Sequence, residues 1–285
     1  MSRRPGYEPG YEPGYENVHG MTRPATIDSL VSDLHGLGVR PGDVLMVHAS
    51  MSAVGFVAGG AQAIGDALLR AVGPDGTVAM PAQSADWSEP SGWERPPVPE
   101  EWWPTIREEW PAFDPYVTPL RGMGSVADAF LLRRETLRSN HPRLSVMASG
   151  AAAPRITEGH TLEEGFGEGS PLARLYELDA KVLLVGVGHG SNTSLHLAEC
   201  RSSWPGKRRA VQGSALQTER GRLWVTYEET QAYDVDFADV GAAFSSTGAE
   251  LLGTVGAAPT RIMRQRALVD FAAAWFTENR YQASC

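Results

Sequence analysis

The sequence predicts an α/β fold, and three observations carry that prediction. Amphipathic helical stripes and short apolar runs alternate between residues 26 and 82. Residues 181–188, KVLLVGVG, read as a buried strand running into a Gly-His-Gly turn and a helix. At 285 residues the chain can bury a sizeable core. Helices alternating with strands in this way imply a core with parallel strands.

Taken in order, TIDSLVSDLHGLGV carries Ile27, Leu30, Val31, Leu34 and Leu37 on one helical face, with Thr26 as N-cap and Gly38 as the stop. PGDVLMVHAS gives a turn and a strand at Val44–Val47, and MSAVGFVAGG reads as a glycine-bearing loop. AQAIGDALLRAVG is a second amphipathic helix closed by Gly73, and PDGTVAMPA a turn and another strand. Residues 82–122 break the rhythm with Trp87, Trp93, Trp102, Trp103, Trp110 and eight prolines. Such an excursion is a lid or binding loop, or a surface segment pinned by its tryptophans. The rhythm then resumes with a helix near Gly124, the strand RLSVMASG, and a short helix with Ser170 as N-cap and Pro171 at its first position. After the strand at 181, residues 208–229 read as a hairpin turning at Glu219–Arg222, and residues 236–252 and 265–277 as helices.

Residues 1–25, with the repeat GYEPGYEPGYEN, are expected to be a disordered tail, and residues 26–285 one domain. A net charge of −9 argues against a nucleic-acid binder. No window approaches a membrane span, and the arginines near the N-terminus have no apolar segment behind them, so neither a membrane segment nor a secretory signal is expected. Two cysteines, Cys200 and Cys285, make no disulfide framework and point to a reducing cytoplasm. Oligomeric state is left open.

Three stretches could carry chemistry. In GVGHGSNTSLHLAEC, His196 and Glu199 lie at i and i+3 on one helix face, where a carboxylate can orient an imidazole or simply pair with it at a surface. His189 and His196 do not share metal-ligand spacing, so no metal site is expected. HASMSAVGFVAGG joins a strand to a helix, where α/β folds place ligand loops, and offers Ser50 and Ser52 hydroxyls with backbone N–H groups. RGMGSVADAF has Arg-x-x-Gly at a helix start, one residue short of the pyrophosphate loop of common acetyltransferases. There is no Gly-x-Ser-x-Gly elbow, and neither cysteine has the setting of an activated thiolate.

Taken together, HASMSAVGFVAGG, GPDGTVAMPAQSADW, PAFDPYVTPLRGMGSVADAF, SNHPRLSVMASG, EGSPLARLYELDAKVLLVGVGHGSNTSLHLAE and VGAAPTRIMRQRALVDFAAAWF resemble, in order, the aminoglycoside 3-N-acetyltransferases, especially those of antibiotic-producing actinomycetes. The resemblance runs from Thr26 to Phe276 and leaves the GYEP tail outside. It implies a mixed-sheet α/β/α sandwich, distinct from the common GNAT acetyltransferase fold. It also implies acetyl-CoA as donor, no metal, and transfer to an amino group of the 2-deoxystreptamine ring of an aminoglycoside antibiotic, hence resistance.

By the same resemblance, His196 is the general base, and Glu199 is placed to hold its tautomer. Ser50, Met51, Ser52, Ala53 and Val54 match a coenzyme-contacting segment, and Asp86 and Glu229 match antibiotic-contacting acids, with Glu228 leaving the register of the second open by one. Backbone N–H groups at Gly124, Ser125 and Val126 are further candidates for the coenzyme or the oxyanion, and Asp234 for the cationic substrate. Two alternatives keep part of this reading: the same fold and donor acting on another amine, or an aminoglycoside-binding protein without catalysis. A zinc hydrolase is a remote third.

Overall fold

Thr26 starts the first helix, α1 (Ile27–Leu37), through a reciprocal cap: its side chain accepts from the Ser29 N–H while the Ser29 hydroxyl accepts from the Thr26 N–H. Gly38, at φ 106°, ends it in the left-handed conformation that glycine adopts without strain. Just before this cap, Ala25 is bonded to Phe56 and Ala58 through its backbone. The computed structural model describes residues 23–94 and 96–280; the GYEP repeats and Cys285 lie outside the described residues.

Strand β1 (Val44–Ala49) follows, then one helical turn, α2 (Met51–Val54), where the sequence reads as loop. Four residues are too few for a periodic signal. Helix α3 (Gly60–Val72), β2 (Thr77–Pro81), α4 (Trp103–Glu109), α5 (Ser125–Leu131), β3 (Leu137–Arg138), β4 (Val146–Gly150) and α6 (Ala153–Thr157) come next. Helix α7 (Pro171–Glu177) has the expected Ser170 cap, and β5 (Lys181–Val185) and α8 (Ser194–Arg201) follow it. The hairpin β6 (Arg209–Thr218) and β7 (Gly221–Thr230) turns at residues 219–220 and forms a separate two-stranded sheet. Helix α9 (Phe237–Ser245), β8 (Glu250–Val255), β9 (Ala258–Arg264) and α10 (Gln265–Asn279) complete the order.

The main sheet runs β3-β4-β2-β1-β5-β9-β8. Its centre, β2-β1-β5, is parallel; β3, β4, β9 and β8 join antiparallel, so the sheet is mixed. Side chains alternate across β1. Leu45 and Val47 join a cluster with Leu30, Leu34, Ile64, Leu68 and Phe130 of α1, α3 and α5. Met46 joins Leu172, Leu195, Phe237, Phe244 and Phe276 of α7, α8, α9 and α10. Each sheet face is thus covered by helices, giving an α/β/α sandwich. Among the described residues no helix is long and apolar enough to cross a membrane.

The expected helix over 236–252 stops at Ser245, and a turn through Gly248 (φ 74°) leads into β8. Leu251 and Leu252 extend a helical stripe in the sequence but lie exposed on the sheet's edge strand. Strand β9 leaves no clear strand signal in the sequence, because Pro259, Arg261 and Arg264 interrupt its apolar pattern.

The tryptophan-rich excursion is anchored from two sides. Trp87 and Trp93 meet Trp110 edge-on at 5.7 and 5.2 Å. The hairpin buttresses it through Phe113 N–H to Ala215 C=O (2.8 Å), Ser214 Oγ to Trp87 C=O (2.5 Å) and Arg222 Nε to Trp110 C=O (2.8 Å).

Candidate active site

Strand β1 is flanked by β2 on one side and β5 on the other, so the chain switches direction across it. In open α/β sheets that switch point opens a crevice beyond the carboxyl ends of the strands. Here it holds a cavity of about 410 Å³, whose walls include His48, Ser50, Gly124, Asn192, His196 and Asp234.

His196 sits on the first turns of α8, 9% exposed. Its Nδ1 donates to Glu199 Oε2 at 2.5 Å, the i,i+3 contact that the helix makes available. The Phe166 ring stacks on the imidazole at 4.2 Å and 6° between planes, and Phe237 packs on it at 4.8 Å. With the ring plane clamped and Nδ1–H engaged by a carboxylate, Nε2 is the basic nitrogen. Glu199 is 2% exposed, and its other oxygen accepts from Tyr233 N–H (3.1 Å) and Arg280 Nη1 (2.7 Å).

Sequence reading passed over His48. It belongs to the same sheet face as Met46, toward α8, and is 7% exposed. Its Nε2 has no hydrogen-bond partner among the described residues. Burial, assisted by His196, pushes its pKa down to about 4. His160 is likewise lowered to about 4, chiefly by burial, and His141 well below its ordinary value by burial and by His160. The unfolded chain therefore binds more protons than the folded one below about pH 6.5. Stability is expected to be fully present above that pH and to fall as pH drops toward 4, by up to about 1.4 kcal/mol per pH unit for each imidazole. Urea midpoints across pH 4.5–7.5 would check this; a flat profile would contradict neutral burial.

The Ser50–Val54 segment divides. Ser50 lines the cavity and its hydroxyl meets that of Ser52 at 3.1 Å, whereas Met51 and Val54 are buried in the apolar core and hold the turn in place. Ala53 packs on Gly186, which has φ 66° and room for no side chain: a Cβ there would lie 2.2 Å from Ala53 Cβ. Gly186→Ala is expected to destabilise the fold by about 2–3 kcal/mol, measurable by urea unfolding, and to displace Ser50. Gly124, which lies near Ala49 C=O, and Val126 also line the cavity, while Ser125 Oγ is buried without a hydrogen-bond partner among the described residues.

The three predicted acids separate. Asp234 lines the cavity with His196. Asp86 lines an adjoining outer cavity of about 630 Å³ with Glu89, Trp93, Glu94, Arg121 and Arg143. The backbone bond from Arg121 N–H to Gln83 C=O stands at the seam between the two, since Gln83 and Gly122 line the first cavity, and Ala85 and Arg121 the second. Glu229 lines neither. It is 2% exposed, facing inward from β7 opposite Ala210, and is tied to the Arg143 guanidinium, which reaches the outer cavity in its place. Burial raises its pKa against the opposing pull of Arg143. Glu228 points to solvent on the other face of the strand.

His189 sits in the Gly-His-Gly turn as the sequence indicates, but it is buried. Its Nε2 pairs with Glu250 at 2.6 Å and its ring packs on Gly241, so Gly190 and Ser191 line the cavity in its place. Sequence inspection could not expose this pairing, because Glu250 lies 61 residues away on the unpredicted strand β8. Cys200 is an inert thiol: burial pushes it up to about 12. Among the described residues, no group of three or more His, Cys, Asp or Glu side chains is gathered to hold a metal ion.

Comparison with known proteins places the chain in one family. The profile of the aminoglycoside 3-N-acetyltransferase family matches residues 46–277. The aminoglycoside N(3')-acetyltransferase-like protein YokD of Bacillus subtilis, from its SPbeta prophage, is 41% identical over 92% of this chain and 96% of its own. Its crystal structure superposes with a TM-score of 0.89, covering 92% of this chain and 97% of that one. Aminoglycoside N(3)-acetyltransferase VIII of Streptomyces fradiae is 34% identical over 88% of this chain and 92% of its own. The structure of AAC-IIIb with CoASH bound is 35% identical, with a TM-score of 0.82, covering 92% of this chain and all (100%) of that one. The chain belongs to the aminoglycoside 3-N-acetyltransferase family.

Proposed function

We propose that the protein transfers the acetyl group of acetyl-CoA to the 3-amino group of the 2-deoxystreptamine ring of aminoglycoside antibiotics, giving resistance, with His196 as general base. One observation carries this reading: a ring-clamped His196, paired through Nδ1 with buried Glu199, lines one crevice together with Asp234, Ser50 and Gly124.

The cavity suits a thioester and an amine together. Ser50 and the Gly124 backbone bound one side, and the unpaired Nε2 of His48 lies beside it. Acetyl-CoA supplies an activated acyl carbon. The acceptor amine is mostly protonated near neutral pH; His196 Nε2 takes its proton, the freed nitrogen attacks the acyl carbon, and the C–S bond breaks so that CoA leaves as its thiolate and takes up the proton the new amide nitrogen loses. Glu199 holds Nδ1–H and stabilises the imidazolium that results. Asp234 attracts the reacting ammonium, and Asp86, Glu89 and Glu94 line the outer cavity where the rest of a polycation would lie, Asp86 beside Arg121 at 3.8 Å and Glu89 paired with Arg107. With the Cys200 thiol held near 12, direct transfer in a ternary complex is favoured over a cysteine acyl-enzyme.

Thiol release from acetyl-CoA over a panel of deoxystreptamine aminoglycosides, with the acylated nitrogen located by mass spectrometry, tests the proposal. Absence of turnover with every member would remove the acceptor assignment. Arg121 and Arg143 stand among the acids of the outer cavity, a mixed-charge wall that an amine carrying its own carboxylate or phosphate would also match. Non-aminoglycoside amines of that kind belong in the same screen.

A further inference from the structure

Arg280 is the residue immediately after α10, and it lies beyond the stretch, residues 46–277, that the family profile matches. Its sequence context, ENRYQ, has nothing to mark it. In the fold it is 4% exposed and committed on almost every donor. Nε and Nη2 grip the two oxygens of Asp236 at 2.8 and 2.6 Å, Nη2 also donates to Tyr233 C=O at 2.8 Å, and Nη1 donates to Glu199 Oε1 at 2.7 Å. The Phe276 ring covers the guanidinium at 3.7 Å, with Trp204 and Tyr233 each at 5.0 Å.

We propose that Arg280 is a positioning residue for acetyl transfer, acting through Glu199 to fix the His196 imidazole; this rests on the reading of His196 as the proton acceptor. The bidentate hold on Asp236 sets the guanidinium plane. That plane aims Nη1 at Glu199 Oε1, and the Tyr233 N–H fixes the same oxygen. Both constraints leave Oε2 directed at His196 Nδ1. The planar fork makes this possible, and a lysine could supply the charge but not the plane. Arg280 also tethers residues 233–236, which include Asp234 and lead into Phe237 of the cavity wall, so a second route to an effect exists and the test must separate the two.

The test is a double-mutant cycle on kcat with Arg280→Met and Glu199→Gln, alongside KM for both substrates. Arg280→Met alone is expected to lower kcat about tenfold with KM for acetyl-CoA unchanged. In the Glu199→Gln background the same change is expected to cost less than twofold, because the residue it acts through is already altered. Arg280→Lys should lose part of kcat in the native background and nothing further beside Glu199→Gln. It replaces Met in the cycle if the Met variant does not fold. Equal losses in both backgrounds, or a loss confined to the acceptor's KM, would overturn the proposal and leave Arg280 as a tether of the 233–236 segment. If His196→Gln loses kcat but the cycle is additive, only the Arg280 assignment fails. If His196→Gln retains kcat, both fail.

Discussion

His196→Gln is expected to lower kcat by about 10²–10⁴-fold while leaving CoASH affinity within about twofold of the parent. The expectation follows from what the site offers in its place. Glutamine preserves a side chain between Phe166 and Phe237 but supplies no basic nitrogen. His48 is the other imidazole of the cavity, and burial holds it near 4, too weak a base to take a proton from an ammonium. The Cys200 thiol is pushed to about 12 and is buried, so no thiolate takes over. The coenzyme-facing candidates, Ser50, Gly124 and Val126, lie on other elements of the cavity wall, which is why binding should survive the change. Steady-state kinetics and calorimetric titration with CoASH check both halves. A variant turning over within threefold of the parent would remove His196 from the mechanism.

What the sequence discloses about this site depends on how local each cause is. Thr26, Ser170 and Pro171 act within one helical turn, so their caps are legible from neighbouring residues. The same holds for His196 and Glu199, which need only a helix to meet. The parallel centre of the sheet is legible from alternating helices and strands, and β4 reads as a strand, but the antiparallel direction in which β4 and β9 join is not legible. Strand β4 reaches β2, and β9 reaches β5, through pairings that leave no mark on their own periodicity. His48 reads as one residue of an apolar strand until α8 is laid on the same sheet face. Glu229 shows the converse. Its sequence position beside Glu228 leaves open which of the two faces the site, and hairpin register turns Glu229 inward onto Arg143 and Glu228 out to solvent. Arg280 is the extreme case, since its partners Glu199, Tyr233 and Asp236 are 81, 47 and 44 residues away.

Arg138 is equally silent in the sequence, and its replacement by methionine is expected to cost about 3–5 kcal/mol of stability. It sits on the two-residue strand β3, 8% exposed. Burial lowers its pKa to about 10, with Asp114 opposing, so it stays charged at neutral pH. The guanidinium donates to Thr118 C=O (2.6 Å), Ala82 C=O (2.6 Å), Ser84 Oγ (2.8 Å) and Ser145 Oγ (2.8 Å), with the Phe113 ring 5.0 Å away. Ala82 and Ser84 open the tryptophan-rich excursion and Thr118 is near its close, so one buried cation clamps both of its roots. Methionine fills comparable volume but donates nothing, and leaves Thr118 C=O without its donor. The walls of both cavities rise from these roots, through Gln83 and Gly122 on the inner side and Asp86 and Arg121 on the outer. Loosening them should raise the acceptor's KM through Asp86, which the excursion carries, more than that of acetyl-CoA, whose candidate contact Ser50 follows β1 and lies outside the excursion. Arg138→Lys keeps the charge but offers three donors where four contacts are made, and should fall between the two. Urea unfolding gives the energetic term, and proteolytic nicking within residues 88–118 gives the local one. A Met variant within 1 kcal/mol of the parent, with the excursion still resistant, would show that the hairpin alone holds it in place.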